Sequence, residues 1–443
     1  MNFSKGFIKY AKNTGYLLVG KIIKLFVTFT VGVCLIRYLG PTQYGLLSYA
    51  ISFTLLFNVL SDLGLDYIIV RDLVKSKGEN ERNEMLISAF LLKLLGAVLV
   101  VVIILIAINV LSFSSYTKVL IFIISLGMLF EPFNVIDLYF QSKVLAKFIV
   151  YPQIFSLAIA SSLNLLFIYL KLPLIYLACI VILETIITGI GLYISFKLNK
   201  QKIFVLKWRV ILAKMRQLLR DSWPLIISCI AISIYMHIDQ VMIKAMLNTA
   251  EVGYYAVAVK ICEIFYTIPM ILTASLFPAI INAKLKDKEL YYDRLQKLFR
   301  FLFWTAVAIS ISITIAAKPM INILYGHEFS AAAKVLSIYI WASVFIFLGV
   351  ASGKWVINEN LQVYIMFYTI IGAVVNVILN LLLIPAMGIN GAAIAAVISQ
   401  LISAVFCNLL NKKTRIIFLL QMKSFNAITA WRLCRKYIFE SST

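Results

Sequence analysis

Eight basic side chains stand inside, or at the edges of, long apolar runs: Lys21, Lys24, Arg37, Lys93, Lys244, Lys260, Lys334 and Lys354. Six acids share that setting: Asp62, Asp66, Glu131, Glu184, Asp239 and Glu263. A lysine facing hydrocarbon at mid-span costs about 2.5 to 3.5 kcal/mol, so most of these groups must face protein, water or the interface. Along a water-filled path, lysines can hold an anion by charge-assisted hydrogen bonds, and the acids can take a coupling proton or sodium ion. Lys21 and Lys24 lie one turn apart on one helix face, with no acid on that helix to neutralise them. Lys93 lies roughly two turns into its run, Lys244 and Lys354 lie nearer the ends of theirs, and Arg37 and Lys334 are close enough to snorkel to the headgroups. Lys260 has Glu263 three residues on, so a local ion pair explains it as well as a ligand does. Asp62 and Asp66 are spaced to share a helix face, and Asp239 fits equally a structural pairing with a lysine of a neighbouring helix.

The elements that must position these groups follow from composition. Of the 443 residues, 62% are hydrophobic and 14% charged, with a mean hydropathy of +0.97, which marks an integral membrane protein. Runs of roughly 20 apolar residues, each long enough to cross a bilayer, fall near 15 to 38, 44 to 65, 85 to 111, 119 to 141, 148 to 170, 175 to 196, 223 to 247, 253 to 279, 300 to 317, 332 to 357, 363 to 384 and 391 to 411. The expected fold is therefore all-α, with about twelve transmembrane helices. The apolar stretch after the basic start is too long for a signal peptide, so the first helix is expected to remain. With both termini cytoplasmic, inward connections and tails hold about 30 of the 41 basic residues and outward ones about three, Lys118, Lys171 and Lys318. The net charge of +22 then reflects the positive-inside rule, and no nucleic-acid partner is expected.

The chain repeats itself. GPTQYGLLSYA from Gly40 is echoed by TAEVGYYAVAV from Thr249, KVLIFIIS from Lys118 by KVLSIYIW from Lys334, and Pro173 by Pro385. Offsets of roughly 208 to 216 residues match six helices apiece, giving two like-oriented six-helix lobes. In the first corner Gly40 is expected to close a helix with a positive φ, Pro41 to stop it and Thr42 to cap the next. The lobes are set at 1–196 and 221–411, with a basic cytoplasmic linker at 197–220 and a basic amphipathic tail at 412–443.

The segment GPTQYGLLSYAISFTLLFNVLSDLGLDYIIVRDL, LYGHEFSAAAKVLSIY after the ninth span, and the closing PAMGINGAAIAAVISQLI resemble the Wzx-type polysaccharide flippases of the multidrug/oligosaccharidyl-lipid/polysaccharide exporter superfamily. The resemblance implies a V-shaped, MATE-like pair of six-helix bundles in the bacterial cytoplasmic membrane. It implies transfer of an undecaprenyl-diphosphate-linked oligosaccharide, for O-antigen, capsule or exopolysaccharide, to the outer face by alternating access. It also implies a gap bounded by the first, second, seventh and eighth helices, which here carry Lys21, Lys24, Asp62, Asp239, Lys244 and Lys260. Lys21, Lys24, Lys93, Lys244, Lys260 and Lys354 are then the candidate ligands of the sugar diphosphate in a cationic cavity. Asp62, Glu184, Asp239 and Glu263 are the candidate ion-coupling groups. A polysaccharide polymerase and a chain-length regulator are the expected protein partners.

No Walker A, HExxH or GxSxG motif occurs, and the six cysteines have no CxxC spacing, so no catalytic residue, metal or cofactor is expected. The alternatives are a cation-coupled multidrug exporter of the same fold, for which an acidic cavity is expected, and a peptidoglycan-precursor exporter. A polymerase or ligase would need a sizeable outer loop, and the longest here runs only from Lys318 to Ala331.

Overall fold

The computed structural model describes residues 5–76, 78–199, 208–284 and 287–426. Among these residues every regular element is helical. The chain forms two compact units, Met1–Ser233 and Ile234–Thr443, so the described part of the expected 197–220 linker and the following 221–233 stretch pack with the first.

The first unit opens with α1 (Lys5–Asp62), α2 (Asp66–Lys75) and α3 (Glu79–Val110). It continues through α4 (Ser115–Leu126), a 3-10 turn (Gly127–Phe133), α5 (Asn134–Ser142), α6 (Lys147–Tyr169) and α7 (Leu174–Leu198). The helix α8 (Trp208–Met246) begins in this unit and ends in the second. Among the described residues, eleven helical stretches are long and apolar enough to cross a membrane. The first, Asn13–Lys75, has 63 residues, and at 1.5 Å per residue it is about twice as long as a bilayer is thick. It holds two of the predicted spans because it bends at Gly40, whose backbone (φ 65°, ψ 176°) is essentially reserved to glycine, as the sequence leads one to expect.

Membrane burial shapes α3. Leu92, Lys93, Gly96, Ala97, Val100, Ile104 and Ile108 are buried, while Leu95, Val98, Leu99, Val102 and Ile106 are exposed. Both faces are greasy because one packs on protein and the other meets lipid. Gly96 lets α3 press on the end of the first bent helix: a Cβ there would stand 3.0 Å from the Leu60 and Ser61 carbonyl oxygens. The start of α8 lies against this unit, with Ile211, Met215 and Leu218 in the cluster that holds Ile69, Leu73 and Leu86.

The second unit comprises the end of α8 with α9 (Thr249–Phe265), α10 (Thr267–Lys284) and α11 (Lys288–Tyr325). There follow a 3-10 turn (His327–Phe329), α12 (Ala332–Tyr339), α13 (Ala342–Asn358), α14 (Gln362–Met387), α15 (Ile389–Ala404), a 3-10 turn (Phe406–Leu409) and α16 (Arg415–Ser424). Its core includes Leu295, Phe299, Leu302, Phe347 and Leu348. Gly391 sets the closeness of α14 and α15, since a Cβ there would fall 2.2 Å from the Leu383 carbonyl oxygen. In the expected tail, Ile417, Leu420 and Gln421 of α16 are buried, and Trp431, Arg432, Arg435 and Lys436 lie outside the described residues. The counterpart of the Gly40 corner is built differently: Asn248 caps α9, its side-chain oxygen accepting the Glu251 N–H at 3.0 Å, and Gly253 lies inside the helix.

Candidate functional site

Lys93 ends in a different place from the one its spacing suggested. Its side chain is 1% exposed and its ammonium donates to Asp62 at 2.9 Å and to Asp66 at 2.6 Å. The two acids do not share a continuous helix face, because the chain breaks between them at Leu63 and Gly64, both with positive φ. Lys93 therefore joins the end of α1 to the start of α2. Its charge is matched within the protein, while Asp62 and Asp66 keep 42% and 51% of their side-chain surface exposed.

Asp62 also borders a cavity of about 430 Å³ inside the first unit. Lys24 and Asn58 reach it from α1, Glu131 and Asn134 from the 3-10 turn and the start of α5, Gln153 from α6, and Glu184 and Thr188 from α7. Asp137 is mostly buried there, accepting from the Gln141 amide at 3.0 Å and the Gln153 amide at 3.3 Å. Asn58 is hydrogen-bonded to Glu131. The spacing of residues nominated Lys24, Asp62, Glu131 and Glu184 singly, and the fold brings them together. It adds Asp137 and Gln153, which sequence reasoning missed. Four acids against one lysine give this cavity, within the first unit, an acidic lining.

The second unit buries Asp239 among neutral partners. It is 4% exposed, and its carboxylate accepts from the Asn380 amide at 2.6 Å and the Tyr255 hydroxyl at 2.5 Å. Asn376 accepts from Asn380 at 3.2 Å, and its own amide reaches the Ser399 hydroxyl at 3.4 Å. The Asn380 side-chain oxygen is buried with no hydrogen-bond partner. No lysine forms an ion pair with Asp239 among the described residues, so the pairing offered as its structural explanation is absent. A buried carboxylate is costly without a cation, and the partners of this one are the neutral donors of Asn380 and Tyr255. Among the described residues no three His, Cys, Asp or Glu side chains converge as a metal site.

The other nominated residues are scattered. Lys21, Lys24 and Lys354 are exposed, and Lys244 donates to the Thr249 hydroxyl. Lys260 and Glu263 are not joined by an ion pair among the described residues, so the local pairing that the spacing allowed is not formed. Lys334 is exposed and borders a second cavity, in the second unit, of about 530 Å³.

This architecture has clear relatives. Among solved structures, a multidrug resistance MATE family transporter of the MOP superfamily matches with a TM-score of 0.75 at 15% identity, over 94% of this chain and 100% of that one. The lipid II flippase MurJ matches with a TM-score of 0.72 at 16% identity, over 95% and 92%. By sequence, the probable flippase AglR of Haloferax volcanii is 25% identical over 188 residues, 39% of this chain and 37% of that protein. The probable low-salt glycan biosynthesis flippase Agl15 of the same organism is 24% identical over 43% of this chain and 40% of its own length, so the matches span well under half of these two relatives. The capsular polysaccharide biosynthesis protein CapF of Staphylococcus aureus is 21% identical over 89% of this chain and 97% of that protein. The MatE model matches residues 224–382, and the model described as polysaccharide biosynthesis protein matches residues 10–284. With more than half its length matched by that model, the chain is a member of the polysaccharide biosynthesis protein family, a multi-pass membrane protein by its apolar helices.

Proposed function

We propose that this protein is a flippase that carries a lipid-linked oligosaccharide, the glycan joined to undecaprenyl diphosphate, from the cytoplasmic to the outer face of a bacterial cytoplasmic membrane. It does no covalent chemistry. The observation that supports this most directly is the gathering of ionisable groups from α1, α5 and α7, with the intervening 3-10 turn, around one cavity in a family of polysaccharide biosynthesis. Lys21 and Lys24 are the groups for the diphosphate: both are exposed and one turn apart, and neither makes an ion pair among the described residues. Asp239 with Asn376 and Asn380, and the Asp62, Glu131 and Glu184 cavity, take the coupling cation. A polymerase and a chain-length regulator act on the product.

The acidic lining favours one second reading, a cation-coupled exporter of small cationic compounds. One experiment separates the two. In cells lacking their own flippase, the gene should restore surface polysaccharide, and Lys21→Ala with Lys24→Ala should leave lipid-linked units on the inner side at matched expression. Resistance to cationic dyes without restored polysaccharide would establish the exporter instead.

A further inference from the structure

The two halves treat the same corner differently. In the first unit the Tyr38 hydroxyl donates to the Leu172 carbonyl at 2.9 Å, and the Tyr116 hydroxyl bonds the backbone of Ile175. Two phenol rings thus tie the start of α7 to the turn before Gly40 and to the start of α4. At the repeat offset of roughly 208 to 216 residues, their counterparts are Met246 and Ala332, which have no hydroxyl to reach across. In the second unit the corner where α9, α12 and α15 begin is an open cavity of about 530 Å³.

Its lining has unspent hydrogen-bonding capacity of both kinds. Glu251 and Lys334 border it, and no ion pair joins them among the described residues. The Asn390 side-chain oxygen is buried with no partner. Asn248 uses its oxygen on the Glu251 N–H, which leaves its amide N–H groups as donors. Ser330 donates to Asn322 or to the His327 carbonyl and keeps its oxygen as an acceptor. Neither α12 nor α15 has a side-chain cap.

A free phosphate would meet the Glu251 carboxylate here, and a bare cation would meet Lys334 and three helix N-termini. A sugar ring suits both: vicinal hydroxyls donate to a carboxylate and to the Asn390 oxygen while accepting from an ammonium and from the Asn248 amide. The volume falls in the range of small-ligand pockets. The turns that build the cavity connect α8 to α9, the 3-10 turn to α12, and α14 to α15, all at the end that the basic-residue distribution sends outward. We infer that this cavity is a sugar-binding site that holds a glycan residue on the outer side, an inference that rests on the flippase reading.

The test is saturation-transfer NMR on the purified full-length protein in detergent, with methyl glucoside, methyl N-acetylglucosaminide and methyl glucuronide as probes. At least one probe should give a saturable signal, weakened about tenfold by Glu251→Ala and by Lys334→Ala, the size expected for losing one charged hydrogen bond. Lys318→Ala should leave it unchanged, and Met246→Tyr should lower it without removing a charge. Thermal midpoints serve to show that each variant is folded. No saturable signal with any of the three probes, or equal signals from wild type and both alanine variants, overturns the site. Complementation run in parallel separates the two ideas. Restored polysaccharide with no sugar bound removes the site and leaves the flippase, and sugar binding without restored polysaccharide does the reverse.

Discussion

At the residue scale, charge in an apolar chain is informative about where to look and poor at saying what it meets. Lys93 and Asp239 were both visible as ionisable groups inside spans, yet Lys93 meets two carboxylates and Asp239 forms no ion pair with a lysine among the described residues. The Asp239 partners were illegible for a plain reason. Asn380 lies 141 residues away, and amides and hydroxyls scattered along greasy helices have no periodicity that marks them. Lys93→Met should leave Asp62 and Asp66 facing each other across the helix break. Since both acids are about half exposed, the loss is expected at about 1 to 2 kcal/mol, below the figure for a fully buried pair. The thermal midpoint should fall by several degrees and recover when Asp62→Asn and Asp66→Asn are added; a midpoint equal to wild type would show the clamp to be idle. Asp239→Asn keeps the side-chain size and removes only the charge. It should fold and insert normally while making glycan transfer insensitive to an imposed sodium or proton gradient, measured in vesicles. Unchanged gradient dependence would remove Asp239 from the coupling site.

At the element scale, span length and number were readable because roughly 20 apolar residues are what a bilayer demands. So was the bend at Gly40, since a glycine followed by proline between two such runs leaves few other conformations. The break at Leu63 and Gly64 was not readable: the apolar run continues through it, and what holds it open is tertiary. A Cβ on Gly64 would meet Leu225 at 3.0 Å, a contact 161 positions along the chain and invisible to any local pattern. The glycines give a graded prediction. Gly391→Ala places a methyl against a backbone carbonyl that cannot retreat without parting α14 from α15, so folded yield in detergent should collapse. Gly40→Ala strains φ and costs roughly 1 to 3 kcal/mol, enough to lower the thermal midpoint while leaving protein to purify. Gly78→Ala, with nothing within 4 Å of the added carbon, should behave as wild type. If size-exclusion profiles of the Gly391 and Gly78 variants matched, the close packing of α14 on α15 would be wrong.

At the scale of the whole molecule, internal repetition foretold two units, and the structure divides the chain at Ser233 and Ile234, within α8. The repeat did not foretell that the units would specialise. One gathers acids from four segments around a cavity, and the other buries a single carboxylate among amides. Orientation remains a matter of charge counting, and it makes a whole-chain prediction. Inward connections hold most of the basic residues and the outward turns about three, so anionic headgroups and the membrane potential both favour cytoplasmic termini. In a chain whose six cysteines are replaced, single cysteines at Ser115 and Lys318 should react with a membrane-impermeant maleimide in intact cells. Cysteines at Lys143 and Gln362 should react only after lysis. Because each half has an even number of spans, the two halves must agree: Ser115 with Lys318, and Lys143 with Gln362. Labelling from outside at Ser115 but not at Lys318 would mean that one half crosses the membrane an odd number of times, and the reading of twelve spans in two like-oriented halves would have to be given up.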